Sequence, residues 1–195
     1  MTQLNLAVLG SGKGSNFRAI LEAVEAGKLQ ARIAIVCSDV PDAGILKLAR
    51  DAGIATTWIE EKRFKTRLSI ESEQDLVKRL RGAEVDLVVL AGYMRLLKAP
   101  MLEAFPRRII NIHPSLLPKF PGLEAWRQAL EAGESMTGCT VHFVDEGMDS
   151  GEIIAQMSVP ILAGDNPARL HARIQEAEHK LYPEVIQRFA RRELP

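Results

Sequence analysis

An amide and an imidazole stand two residues apart at the end of an apolar run. They are Asn111 and His113, in "RIINIHPSLLPKFPGL" over 108–123. Positions i and i+2 of an extended chain point to the same side. The two side chains can therefore converge on one oxygen and donate hydrogen bonds to it. Acyl transfer needs that arrangement to hold a tetrahedral oxyanion. Pro114 biases His113 to extended backbone, and Pro118 and Pro121 stiffen the loop that follows. An isolated histidine reads as a satisfied structural side chain; its pairing with Asn111 at a strand end points to chemistry instead.

An acid is needed to orient and charge the imidazole. "DEGMDSGEII" (145–154) offers one on a glycine-flanked loop. Asp149 is the best candidate, with Glu146 and Asp145 as rivals that spacing hardly separates. His142 alternates with Val141 and Phe143 and reads as structural. His171 and His179 fall on the last helical segment and read as surface or packing residues. No HExxH, close histidine pair or CxxC is present, so no metal is expected. Cys37 and Cys139 lie far apart and read as reduced core thiols of a cytosolic protein.

A second chemical feature is "GSGKGSN" (10–16), between an apolar strand and a helix. Backbone N–H groups at a helix start favour an anion, and glycine lets the chain approach it closely. A Walker loop needs G-x-x-x-x-G-K-[ST], but Lys13 precedes Gly14. The dinucleotide fingerprint needs its third glycine one residue later. No convincing acidic ribose ligand closes the second strand: Asp39 could serve, but it is followed by Val-Pro. The loop reads as a cradle for a phosphate of another kind, or as a tight turn that requires glycine.

These residues need a scaffold. Apolar runs predict strands over 4–10, 31–38, 55–60, 85–92 and 108–112. Helical spacing predicts helices over 15–27, with Ser15 or Asn16 as N-cap, 42–53 and roughly 69–81. Alternation of the two implies a parallel sheet with right-handed crossovers, covered on both faces. The last third differs: strands over 137–144 and 151–161, joined by "DEGMDS", imply an antiparallel hairpin. A helix over 167–190 closes the chain, bent near Pro183. The expected fold is α/β: a Rossmann-like, mostly parallel open sheet with a C-terminal antiparallel hairpin, in one domain over 1–195. "AGYMRLL" (91–97) leaves the most apolar strand at its carboxyl end. It either lines a flat pocket or starts a helix on core Met94 and Leu97.

Composition excludes several classes. Twenty-five basic residues balance twenty-five acidic ones among 195, which gives no support for a general binder of nucleic acid or anionic membranes. No apolar run approaches the roughly 20 residues of a membrane helix, and the first residues do not resemble a signal peptide.

Together these segments closely resemble the glycinamide ribonucleotide transformylases, the folate-dependent phosphoribosylglycinamide formyltransferases of purine synthesis. "GSGKGSN", "AGYMRLL", "NIHPSLLPKFPGL", "GCTVHFVDEGMDSGEIIAQ" and "IQEAEHKLYPEVI" carry the resemblance over essentially the whole chain. It implies that Gly14, Ser15 and Asn16 hold the substrate phosphate and that Gln175 and Glu178 hold the ribose. It places the pterin of 10-formyltetrahydrofolate, the co-substrate, along Met94, Arg95, Leu96 and Leu97, with Leu90 and Val144 as walls and Arg67 near the folate tail. It names Asn111, His113 and Asp149 as the catalytic trio, with Asn111 also near the folate. Lys13 and Ser150 stand where the family often has Asn and Gly. The implied partners are glycinamide ribonucleotide and folate, with no nucleic acid and no membrane, for a cytoplasmic monomer or homodimer. Methionyl-tRNA formyltransferase would add a tRNA-binding domain, and formyltetrahydrofolate hydrolase an N-terminal regulatory one. A non-catalytic nucleotide-binding module would leave Asn111, His113 and Asp149 unexplained.

Overall fold

The computed structural model describes residues 3–194. The strands are β1 (Leu4–Leu9), β2 (Ala31–Ser38), β3 (Thr56–Trp58), β4 (Leu87–Leu90), β5 (Ile109–His113), β6 (Met136–Phe143) and β7 (Ile153–Pro160). The helices are α1 (Ser15–Glu25), α2 (Gly44–Asp51), α3 (Ile70–Gly82), α4 (Ala99–Ala104), α5 (Ala125–Glu131) and α6 (Pro167–Ala190). The strands form one sheet in the order β3-β2-β1-β4-β5-β6-β7. Pairing is parallel from β3 through β5. It is antiparallel for β5–β6 and β6–β7, as the short link before β7 implies.

Alternate residues of the central strands feed two cores. Leu6 and Val8 join Phe17 and Ile20 of α1, Ile45 of α2 and Ile174 and Tyr182 of α6. Ala7 and Leu9 face Leu76 and Leu80 of α3 and Met101 of α4. This two-sided cover explains why the parallel strands read as continuous apolar runs.

The connection order decides where ligands fit. After β1 the chain builds β2 and β3 on one side, then crosses to lay β4 on the other. A crevice opens where strand order reverses, beyond the carboxyl ends of β1 and β4. Both segments of interest, 10–16 and 91–97, leave the sheet there. They are joined directly: the Ser11 N–H donates to the Gly92 carbonyl at 3.0 Å.

Several boundaries differ from the expected ones, for local reasons. The N-cap of α1 is Gly14, in the left-handed region at φ 83, rather than Ser15 or Asn16. A Cβ at Gly14 would sit 2.9 Å from Ile45 Cα, so close packing on α2 and the backbone conformation both require glycine. Ser15 and Asn16 thus enter the first turn, where N–H groups lack intrahelical acceptors. The first two helices end earlier than expected, at Glu25 and Asp51, and the third strand shrinks to Thr56–Trp58. α4 and α5 were not expected; at six and seven residues they are too short to show periodicity. The first of them begins after "AGYMRLL", whose residues 91–97 themselves stay irregular. α6 continues through Pro183 as one assigned helix. Cys37 and Cys139 are buried and free; burial pushes both thiols up to about 12.

Candidate active site

β5 delivers His113, and the loop after β6 folds back to bring a carboxylate to it. His113 Nδ1 lies 3.2 Å from Asp149 Oδ2. The Gly122 N–H donates to the same oxygen at 2.8 Å. Asp149 sits at φ 52, an uncommon backbone for a non-glycine residue. The rival acids are elsewhere. Asp145 Oδ1 accepts from the Gly147 N–H at 3.0 Å and the Ser150 hydroxyl at 2.7 Å, bracing its own loop. Glu146 is exposed, and its carbonyl accepts from Lys98 Nζ at 3.0 Å. Geometry thus separates the three acids where spacing could not.

His113 is 4% exposed and has both ring nitrogens engaged, since Nε2 lies 2.8 Å from the Phe120 carbonyl. A carboxylate and a carbonyl are both acceptors, so an imidazolium satisfies this site best. Burial works in the opposite direction. It outweighs the attraction of Asp149 and the Phe120 contact and holds the His113 pKa below its ordinary value. Burial alone would raise the Asp149 carboxyl. The Gly122 N–H and the neighbouring His113 imidazole oppose that, and the carboxyl is held below the usual carboxylate range.

His142 is buried, as a structural histidine would be, and it also touches Asn111 of the neighbouring strand. β5–β6 register sets Asn111 opposite His142. His142 Nδ1 lies 2.8 Å from the Phe143 carbonyl, which assigns its proton to that nitrogen. Nε2 is left to accept from Asn111 Nδ2 at 3.2 Å. Its 3.7 Å separation from Asp149 Oδ1 is too long for a hydrogen bond. Asn111 has a second N–H on the same nitrogen, with no acceptor among the described residues. Asn111 thus meets His142, and His113 meets Asp149. Only strand register could have revealed His142.

The proline-rich loop is held by more than its prolines. Thr140 Oγ1 donates to the Ser115 carbonyl at 2.7 Å and accepts from the Leu117 N–H at 3.0 Å and Gln156 Nε2 at 2.9 Å. The Ser115 hydroxyl, fully buried, donates to the Lys119 carbonyl at 2.6 Å. The Leu117–Pro118 peptide is cis.

On the other side of the crevice, α1 meets α6. Asn16 Nδ2 donates to Glu178 Oε2 at 2.9 Å, and both residues are buried. Asn16 Oδ1 is buried without a partner. Burial pushes the Glu178 carboxyl up to about 7 against the opposing Asn16 bond. Gln175 lies one turn earlier, half-buried, and Ser15 is half-buried beside Gly14. A groove of about 1100 Å³ starts at Lys13 and Ser15 and runs outward between α1 and α6. Asn111, His113 and Asp149 do not line it, so its size does not mark the reacting centre.

The 91–97 segment divides its side chains. Met94 is 58% exposed, whereas Leu90 and Leu97 are buried in the second core. Leu96 is half-buried, and its N–H donates to the Thr66 carbonyl at 2.9 Å. Arg95 is not free to meet a ligand with its guanidinium: Nε is paired with Asp39 Oδ2 at 2.8 Å. Only its backbone can line a site. Arg67 is exposed, with its guanidinium 4.2 Å from the centre of the Phe64 ring. Val144 packs against the rim of the second core. A cleft of about 320 Å³ there also involves Leu102 and Phe105, two residues that carried no sequence signal because α4 was not foreseen. Among the described residues no cluster of three His, Cys, Asp or Glu could hold a metal, and no helix is long and apolar enough to cross a membrane.

Residues 4–186 match the formyl transferase family. The phosphoribosylglycinamide formyltransferase of Escherichia coli K12 is 43% identical over 187 residues, 96% of this chain and 87% of that protein. The trifunctional purine biosynthetic protein adenosine-3 of Drosophila melanogaster is 47% identical over 93% of this chain, which spans only 13% of that protein. The crystal structure of glycinamide ribonucleotide transformylase 1 from Symbiobacterium toebii superposes with a TM-score of 0.94 at 49% identity, covering 99% of this chain and 90% of that one. Sequence and fold agree along nearly the full length, and the chain belongs to the formyl transferase family, alongside its phosphoribosylglycinamide formyltransferases.

Proposed function

We propose that this chain transfers the formyl group of 10-formyltetrahydrofolate to the amine of glycinamide ribonucleotide, yielding formylglycinamide ribonucleotide and tetrahydrofolate in purine biosynthesis. The observation that carries this reading is the largely buried Asn111–His142, His113–Asp149 cluster at the carboxyl end of β5, on a chain with transformylase relatives.

Gly14, Ser15 and Asn16 take the phosphate through the N–H groups of the first turn, and Gln175 and Glu178 take the ribose hydroxyls. The pterin lies along Met94, Leu96, Leu97 and the backbone of Arg95, between Leu90 and Val144, with Arg67 toward the folate tail. These contacts bring the neutral amine to the formyl carbon. The amine nitrogen forms a bond to that carbon, and the carbonyl electron pair moves to oxygen. The second N–H of Asn111 donates to this oxyanion. His113, in its protonated form, which Asp149 favours and burial opposes, adds a charge-assisted bond when the oxyanion displaces one of its present acceptors. The attacking nitrogen then loses a proton and the departing folate nitrogen gains one, and the oxyanion pair re-forms the carbonyl as the carbon–nitrogen bond to folate breaks. Asp149 and His113 hold that proton in passage.

The test is an absorbance assay for deformylated folate. Release of tetrahydrofolate only when glycinamide ribonucleotide is present supports transfer. Release without the amine would make the chain a hydrolase, and no release with either would leave only a binding module.

A further inference from the structure

Asp39 is the acid that fits neither a ribose site nor the reacting cluster. It follows β2 and faces three segments at once. Oδ1 accepts from the Ser11 hydroxyl. Ser11 Oγ in turn accepts the Met94 N–H at 2.9 Å. Oδ2 accepts from Arg95 Nε at 2.8 Å. The Arg95 guanidinium continues to the carbonyls of Arg67, at 3.0 Å, and Phe64. The Arg95 and Asp39 side chains are only 10% and 8% exposed, so their attraction is little screened. Every proton in this chain has one acceptor, from Met94 N–H to Ser11 to Asp39. A single carboxylate thereby ties the glycine loop, the 91–97 strip and the 64–67 turn into one unit.

We propose that Asp39 is a positioning residue that couples the two substrate sites, so that the ribonucleotide and the folate each tighten the binding of the other. The inference rests on the proposed function, which puts phosphate on the glycine loop and pterin on the 91–97 strip. The coupling follows from the bridge. A ligand that settles Met94 and Arg95 also settles Ser11, and the second ligand then meets a loop already in place. Linkage makes the effect reciprocal.

Calorimetric titration reads it directly. The affinity for glycinamide ribonucleotide is measured without and with saturating tetrahydrofolate, which lacks the formyl group and cannot react. The wild-type chain should bind the ribonucleotide roughly fivefold or more tightly in the presence of folate. Asp39→Asn keeps the shape but removes the charge that holds Arg95. That variant should bring the ratio below about twofold and raise both KM values, while kcat at saturation changes less than about threefold. Ser11→Ala keeps the Asp39–Arg95 pair but cuts the link to Met94. It should lower the ratio as well, and it decides the matter if Asp39→Asn does not fold. A ratio near one in the wild type, or an undiminished ratio in a folded variant, overturns the coupling. So does a fall in kcat with both KM values unchanged. Failure of the wild type to bind either ligand would instead overturn the substrate reading, and this inference with it.

Discussion

The two halves of the sheet are built differently, and the difference follows from strand direction. From β3 to β4 all strands run parallel, so their carboxyl ends share one edge and their loops meet there. Such an edge offers backbone groups and helix starts, which suit recognition of phosphate and of a flat ring. From β5 to β7 the strands alternate in direction. Antiparallel register sets side chains from distant segments directly opposite each other, as with Asn111 and His142. The following loop then folds back over the sheet with Asp149. In the proposed reading, the parallel edge serves mainly binding and the side-chain cluster serves the reaction.

That division can be broken by experiment. Asp149→Asn should cut kcat by about 10²–10³, or roughly 3–4 kcal/mol of transition-state stabilisation, with folate affinity nearly unchanged; steady-state kinetics with a folate titration decides it. A loss mainly in KM would put Asp149 in the binding half.

The next effect belongs to the binding half and appears as pH-dependent stability. The Glu178 carboxyl is pushed up to about 7 from 4.5, so between those values the folded chain holds a proton that the unfolded chain has released. Stability therefore falls as pH rises through this window, by up to about 3 kcal/mol above it. Denaturant melts should show Glu178→Gln gaining stability at pH 8 but not at pH 4, while its KM for the ribonucleotide rises. Equal gains at both pH values would contradict the buried-proton account.

Ser15→Asp adds a like charge at the proposed phosphate site. It should raise the ribonucleotide KM by roughly tenfold or more and leave the folate KM alone, as initial-rate measurements would report. An unchanged value would remove the glycine loop from phosphate binding. The smallest effect tests the scaffold between the halves. Thr140→Val leaves the Leu117 N–H without its acceptor and Gln156 Nε2 with only the Leu117 carbonyl, and should cost about 1–3 kcal/mol in chemical denaturation; loss of activity without loss of stability would give Thr140 a catalytic share.

Local pattern makes some of this legible in the sequence alone. The period of two in "RIINIH" put Asn111 and His113 on one side of one strand. Glycine and serine spacing marked the first loop, and the apolar runs announced a sheet covered on both faces. Short-range signals were weaker where elements were brief, as with α4 and α5, or where a cap came from an unexpected residue, as with Gly14.

What the sequence by itself determined is what nearest neighbours along the chain can decide: which segments bury, which way alternate side chains face, and where the chain must turn. Only the tertiary structure decided which distant groups meet. It paired His142 with Asn111 across strands 31 residues apart, joined Ser11, Asp39 and Arg95, and left Asp145 to brace its own loop while Asp149 reached His113. Register and loop closure are properties of the packed sheet. A hydrogen bond between such residues has no trace in local periodicity, because its geometry exists only after the strands have been laid side by side.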